Sequence, residues 1–302
     1  MAFEPLLPPH WEEDVRRYLR ADLPKWDVGG FVVGTDVHTA TLFAKSPGTL
    51  AGTIFANKVF EHLGLKAHWK LPDGFQIAPP DNEQGKFLVS VATVTGPVNK
   101  ILLAERTALN ILSRASGVAT AARKAVEVAR AHKWSGCVAG TRKTTPGFGL
   151  VEKYALLVAG ADTHRMDLSS MVMLKDNHIW STGSIVESVK KARRACGFST
   201  KIEVECTSQE DAFEAAGAGA DIIMLDNYSG DELRTVAAQL KEKFPHLLIE
   251  ASGGITLENM PDYFSDHVDI ISQGNLTNGY ETLDFSLKIP KPEKFSKRAR
   301  VQ

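Results

Sequence analysis

Residues 140–179 bring together Arg142 and Lys143 in a Gly/Thr/Pro-rich loop, the pair His164-Arg165, and Lys175-Asp176-Asn177-His178 closing an apolar run. Cations grouped in loops between hydrophobic segments suit a pocket for a ligand with several negative charges. The plain alternative is unrelated surface charge, the usual fate of Lys and Arg. Three such groups in one stretch, each beside an apolar segment, favour the pocket. Further along, Glu205 and Asp226 each end an apolar run. Their carboxylates could converge on Mg²⁺, directly or through water, or act as base or oxocarbenium stabiliser. An ion pair with Lys143 or Lys175 is the competing reading. Gly253-Gly254 after Ala251-Ser252 reads as an anion cradle, with backbone N–H groups facing a ligand at the start of a helix. The SQGN segment 272–275, which contains Gly274, reads as a second. Ordinary βα turns also need glycine, so each cradle gains weight only from the other.

Composition sets the bounds. The 302 residues suffice for one large domain or two, and 43% hydrophobic with 24% charged residues describes an ordinary soluble globular protein. A formal net charge of −1 provides no global basic field to draw the chain to nucleic acid or an anionic membrane, so anion binding must come from local cations. Cys137, Cys196 and Cys206 lack metal-ligand spacing and read as free thiols of a cytoplasmic protein. No basic n-region with an apolar core opens the chain, and no apolar run approaches a membrane span. The patterns G-x-x-x-x-G-K-[ST], H-E-x-x-H and G-x-S-x-G are absent, which weighs against ATPase, zinc-protease and nucleophile-elbow chemistry. The basic tail 294–302 reads as a solvated terminus.

The elements that must position these residues follow from periodicity. Residues 1 to about 100 read as α+β. They hold a helix over 11–23, strands at 39–44, 65–71 and 86–94, and a short helix near 55–63. Turns at Ser46-Pro47-Gly48, Pro72-Asp73-Gly74 and Pro79-Pro80 separate them. Residues 99–133 read as helix, with Gly117 a break or close-contact point. After Lys133 short β-rich runs at 136–139, 171–174, 201–205, 221–225, 247–251 and 268–272 alternate with helical segments such as 185–195, 209–218 and 231–244. Repeated βα units predict a parallel sheet covered on both faces. Polar residues follow all six runs in turn, which favours a barrel with a site on one rim over an open sheet with a single switch point.

The motifs GTRKTTPG, DTHRMDL, MLKDNHI, KIEVEC, IMLDN and EASGGI occur in that order. With the helix ERTALNILSRASG (105–117) and the closing LDFSLKI (283–289), they make the chain closely resemble the quinolinate phosphoribosyltransferases, most of all the eukaryotic and fungal members. The resemblance implies an α/β enzyme with an N-terminal α/β sandwich over 1–118, joined by 278–302, and an incomplete, about seven-stranded α/β barrel over 119–277. It implies a pentosyltransferase that moves phosphoribose from phosphoribosyl pyrophosphate (PRPP) to quinolinate. CO2 and pyrophosphate are released and nicotinate mononucleotide is made for NAD biosynthesis, with Mg²⁺ required.

Carried over residue by residue, Arg142, Lys143, His164, Arg165 and Lys175 match the basic pocket for quinolinate and pyrophosphate. Glu205 and Asp226 match the acids near ribose and metal, and Ser252, Gly253, Gly254 and Gly274 match the 5′-phosphate loops. Lys143, Lys175, Glu205 and Asp226 take the catalytic roles. Arg106 matches an arginine supplied by a neighbouring subunit, which implies a homodimer at minimum, with a hexamer as the larger alternative. The expected compartment is the cytoplasm, with the nucleus as a second. One departure is Gly149, where the family usually has arginine.

Overall fold

The computed structural model describes residues 3–78 and 87–292. The Pro79-Pro80 turn, the first residue of the expected 86–94 strand and the basic tail 294–302 lie outside them. In chain order the elements begin with α1 (Trp11–Asp22), α2 (Val28–Val33), β1 (Val37–Ala44), β2 (Gly48–Thr49), α3 (Thr53–His62) and β3 (Lys66–Trp69). Then come β4 (Gln76–Ile77), β5 (Val89–Pro97), α4 (Val98–Ala131), β6 (Cys137–Ala139), α5 (Gly149–Ala159) and β7 (Val172–Leu174). The series continues with α6 (Asp176–Thr182), α7 (Ile185–Cys196), β8 (Ile202–Cys206), α8 (Gln209–Gly217), β9 (Ile222–Asp226) and α9 (Gly230–Lys243). It closes with β10 (Leu248–Ser252), β11 (Ile270–Ser272), α10 (Asn275–Asn278) and β12 (Phe285–Lys288). Among the described residues no helix is long and apolar enough to cross a membrane.

Contacts divide the chain into two units: Met1–Thr120 with Leu150–Ala159 and Glu281–Gln302, and Ala121–Gly149 with Gly160–Tyr280. The first carries an antiparallel sheet in the order β12-β1-β5-β3, so the strand near 283–289 does pair with β1. Ala40, Leu42 and Ala44 alternate into its core. α1 packs on α3, with Trp11 edge-on to Phe55 at 5.2 Å. α4 runs unbroken through a buried Gly117, which therefore marks close packing and no break. The assignment of Leu150–Ala159 to this unit is a feature the periodicity does not reveal. Here Tyr154 donates to Asp73 Oδ2 at 2.7 Å, and its ring meets Phe55 edge-on at 5.3 Å.

The second unit is built on a six-stranded, all-parallel sheet in the order β6-β11-β10-β9-β8-β7. A parallel bridge from Ala139 to Asp162 adds a seventh strand position outside β6. The segment that follows it carries Arg165, whose Nη2 lies 3.3 Å from Met173 Sδ on β7, the opposite edge. The sheet is thereby curled into an incomplete barrel. Along the strands one parity is wholly apolar: Ile202, Val204, Ile223, Leu225, Ile249 and Ala251 are fully buried. These face the helix layer of α7, α8 and α9, and each of the Ile, Val and Leu side chains contributes about 1.5–3 kcal/mol by burial. Serine N-caps start all three helices: Ser184, Ser208 and Ser229 accept the N–H of Glu187, Asp211 and Glu232. The opposite parity, Glu203, Glu205, Met224, Asp226, Glu250 and Ser252, points into the barrel.

Two aspartates close the N-terminal ends of the strands. Asp221 Oδ2 accepts the Ile202 N–H at 2.7 Å and pairs with Arg193 of α7. Asp269 Oδ2 accepts the Ile249 N–H at 2.7 Å and pairs with Lys241 of α9 at 2.8 Å. Asp221→Ala leaves the Ile202 N–H unpaired and is expected to cost about 1–3 kcal/mol in urea unfolding. Pyrophosphate affinity should stay within twofold, because the opposite rim holds the charged pocket.

Candidate active site

At the C-terminal ends of the strands lies a cavity of about 450 Å³. Arg142 and Lys143 enter it from the loop after β6, His164 and Arg165 from the turn after the Asp162 bridge, and Lys175 from the end of β7. Glu205 of β8, Asp226 of β9 and Glu250 and Ser252 of β10 supply the facing wall, with Gly253 and Ser272 at its edge. The cations expected to form one pocket do so. All the lining residues belong to the second unit, whereas Arg106 is exposed on α4 in the first.

The charges are arranged in contacts. Lys175 Nζ pairs with Glu205 Oε2, so that ion pair stands beside the other cations rather than replacing the pocket. Asp226 Oδ2 accepts from Asn227 Nδ2 at 2.6 Å. Burial, followed by the neighbouring Glu205 charge, holds the Asp226 carboxyl above its ordinary range against the pull of Lys175 and Lys143. Two carboxyls that repel each other at one rim form a donor set suited to Mg²⁺, which takes one or two carboxylates and keeps waters and phosphate oxygens for its remaining positions. Arg165 is half-buried. Burial first, then the nearby Arg142, lower its pKa, and a guanidinium remains charged regardless.

The floor holds three residues that strand-end reasoning does not single out as a group. His164 Nε2 lies 3.0 Å from Glu250 Oε2 and 3.8 Å from Glu203 Oε2. Glu203 and Glu250 are fully buried, and neither Glu203 oxygen has a hydrogen-bond partner among the described residues. Burial, followed by the Glu250 charge, raises the Glu203 pKa well above the usual carboxyl range. The signal for both was present: KIEVEC and LIEAS alternate an acid with apolar residues, and in a strand covered by helices the acid must face the barrel interior. His164 is placed at the pocket as expected, yet both its ring nitrogens are taken by protein, since Nδ1 accepts the Arg165 N–H at 2.8 Å.

The glycines divide by cause. Gly253 has φ +88, and a Cβ there would lie 2.4 Å from Asn227 Oδ1, so both conformation and space require glycine. Gly254 has φ +63 and opens to solvent outside the cavity lining. No helix starts at Ile255, contrary to expectation. A turn intervenes in which Asn259 Oδ1 accepts the Thr256 N–H at 2.7 Å, and only a 3-10 turn, Met260–Tyr263, follows. Gly274 has right-handed backbone angles that any residue accepts, but a Cβ would stand 2.9 Å from Lys143 Cδ and 3.3 Å from its Nζ. Its place in the fold is to leave room for the Lys143 side chain. Thr277 Oγ1 donates to the Lys143 carbonyl at 2.8 Å and fixes the same loop. Gly149 begins α5, and a Cβ there would meet Thr144 Oγ1 at 3.1 Å, tight but open to a small adjustment.

Two family models match the chain: the quinolinate phosphoribosyl transferase N-terminal domain over residues 30–116 and the C-terminal domain over 118–288. The nicotinate-nucleotide pyrophosphorylase [carboxylating] of Rattus norvegicus is 50% identical over 272 residues, covering 90% of this chain and 88% of the rat protein. That of Dictyostelium discoideum is 50% identical over 287 residues, covering 93% and 96%. The crystal structure of NadC from Streptococcus pyogenes superposes with a TM-score of 0.82 at 33% identity, covering 94% of this chain and 99% of that one.

Because Gly274 makes room for Lys143, Gly274→Ala should swing the ammonium aside without unfolding the rim. Calorimetric affinity for inorganic pyrophosphate is expected to fall about fivefold, roughly 1 kcal/mol, with the unfolding midpoint nearly unmoved. Unaltered affinity would separate Gly274 from the placement of Lys143.

Proposed function

The chain belongs to the quinolinate phosphoribosyltransferase family, and on that premise we propose how its pocket carries out the family's reaction. The enzyme transfers phosphoribose from PRPP to quinolinate with loss of CO2, giving nicotinate mononucleotide and pyrophosphate in NAD biosynthesis. The observation that carries the assignment of roles is the convergence of Arg142, Lys143, Arg165 and Lys175 on one cavity whose facing wall presents Glu205 and Asp226.

Quinolinate and PRPP are both polyanions, and their mutual repulsion must be offset by cations already in place. Arg142 and Arg165 suit the planar carboxylates of quinolinate through bidentate bonds. Lys143 and Lys175 act by charge on the pyrophosphate, and the Glu205 carboxylate against Lys175 Nζ supports that role over covalent chemistry. Breaking the C1–pyrophosphate bond leaves positive charge on the ribose, which Glu205 and Asp226 stabilise. Ser252, Gly253, Gly254 and Gly274 serve the 5′-phosphate, supported by the Ser252 hydroxyl, which accepts from Ser272 Oγ at 3.1 Å. Once the pyridine nitrogen is glycosylated and cationic, it stabilises the carbanion left by decarboxylation, which takes up a proton from solvent to give nicotinate mononucleotide.

Glu205 and Asp226 would hold Mg²⁺, which supplies charge neutralisation of the departing pyrophosphate. What supports the metal is the presence of two neighbouring carboxyls on one cavity wall, where burial first and the Glu205 charge second hold the Asp226 carboxyl above its ordinary range. The working unit is a homodimer at minimum, with the hexamer as the larger form, and Arg106 serves the partner's pocket. Its exposure on α4 supports that role. The cytoplasm, with the nucleus as second compartment, fits a chain whose three cysteines are free thiols.

Incubation with PRPP and quinolinate should release CO2 and form nicotinate mononucleotide. Product from nicotinate, with none from quinolinate, would overturn the assignment. Lys143→Ala should lower kcat/KM by about 10³, roughly 4 kcal/mol. Arg106→Ala should abolish activity in a folded protein, and mixing it with Lys143→Ala should restore part of it. No recovery despite demonstrated subunit exchange would count against a shared site.

A further inference from the structure

His164 is a non-glycine residue held in the left-handed region, with φ +55. Such a conformation persists only where the surroundings over-determine it. Three contacts do so here. The His164 N–H donates to Asp162 Oδ1 at 2.6 Å, and Asp162 is itself locked by the parallel bridge to Ala139. The Arg165 N–H donates to His164 Nδ1 at 2.8 Å. Because Nδ1 accepts, the ring hydrogen sits on Nε2, and Nε2 donates to Glu250, at 3.0 Å from Oε2 and 3.3 Å from Oε1. That placement also argues against a metal ion among His164, Glu203 and Glu250, whose potential ligand atoms lie within 4.8 Å of one another. The nitrogen facing the two carboxylates already carries a hydrogen.

The chain of contacts therefore runs from a strand interior to a cation. Glu250 is fully buried in the middle of β10, between Met224 and Ile270 in register. It grips the ring, the ring grips the Arg165 backbone, and the Arg165 side chain lines the cavity. We propose that Glu250 is a positioning residue for phosphoribosyl transfer, acting through the His164 ring to hold the turn that aims Arg165 at the carboxylates of quinolinate. His164 in this arrangement is a strut between Glu250 and Arg165, with both ring nitrogens committed to protein groups. The inference rests on the proposed role of Arg165 in binding quinolinate.

Steady-state kinetics on five variants tests it, with folding checked by circular dichroism. Arg165→Ala comes first: a KM for quinolinate that does not rise removes the underlying assignment of Arg165, whatever Glu250 does. Given that rise, Glu250→Ala should raise KM for quinolinate about tenfold or more and leave KM for PRPP within about twofold. Glu250→Gln retains a carbonyl oxygen to accept from Nε2 and the packing of the strand, and should recover most of the lost affinity. His164→Asn, whose side chain tolerates the left-handed turn but is too short to span to Glu250, should match Glu250→Ala. The double variant Glu250→Ala/His164→Asn should be no worse than either single one, because both cut the same chain. Multiplying losses in the double variant, or a loss in KM for both substrates alike, would overturn the proposal. So would Glu250→Gln losing kcat a hundredfold at unchanged KM, since that assigns the charge itself to the chemistry. Glu250→Gln preserves shape, so its arm stays decisive even if Glu250→Ala does not fold.

Discussion

The architecture depends on the two-residue repeat of strands covered by helices. Outward residues meet α7, α8 and α9 and can only be apolar, as Ile202, Val204, Ile223, Leu225, Ile249 and Ala251 are. Inward residues meet one another across a narrow barrel. A polar side chain placed there must find a partner on another strand, which is the condition for a site assembled from several strands at once. The βα loops add cations at the rim, and the inward parity adds acids beneath them.

Charge is accordingly layered along the barrel axis. Arg142, Lys143 and Lys175 stand at strand ends or just beyond them, Glu205 and Asp226 face them at the rim, and Glu203 and Glu250 lie deeper with His164. The rim acids face the cations across an open cavity. The deeper acids meet a fixed imidazole instead. At the far end of the strands, Asp221 and Asp269 hold the sheet to α7 and α9. Stability contacts and chemistry thus occupy opposite ends of the same strands.

Much of this was legible from residue order. The six strands, the three serine-capped helices behind them and the cations at the strand ends all follow from periodicity and loop chemistry, and the barrel cavity unites the residues so identified. The parts that were not legible have physical reasons. Glu203 and Glu250 lie inside strands, where attention to strand ends passes over them, although alternation marks them. The seventh strand position at Asp162 is a single bridge, too short to carry a period. Gly117 sits in a helix that tolerates it because its packing is close, and composition alone does not separate that case from a break. Gly274 reads in sequence as a turn glycine beside a ligand, while the close approach of the Lys143 side chain gives it a second reason to be small. The helix α5 is apolar on nearly every side, so no stripe reveals which unit it joins.

The position of β12 has a further meaning for how the chain is made. It pairs with β1 as an outer strand of the first unit's sheet, although some 240 residues separate them in the chain. Domains generally fold as units, the N-terminal one first, as the chain emerges during synthesis. Here the second unit has all its strands available by Ser272, whereas the first waits for residues 285–288. Until they arrive, β1 presents an unpaired edge of backbone N–H and C=O groups, the kind of surface that recruits other chains. The unit translated first is therefore the last to be completed, and its newborn form exposes the hazard that the finished sheet conceals.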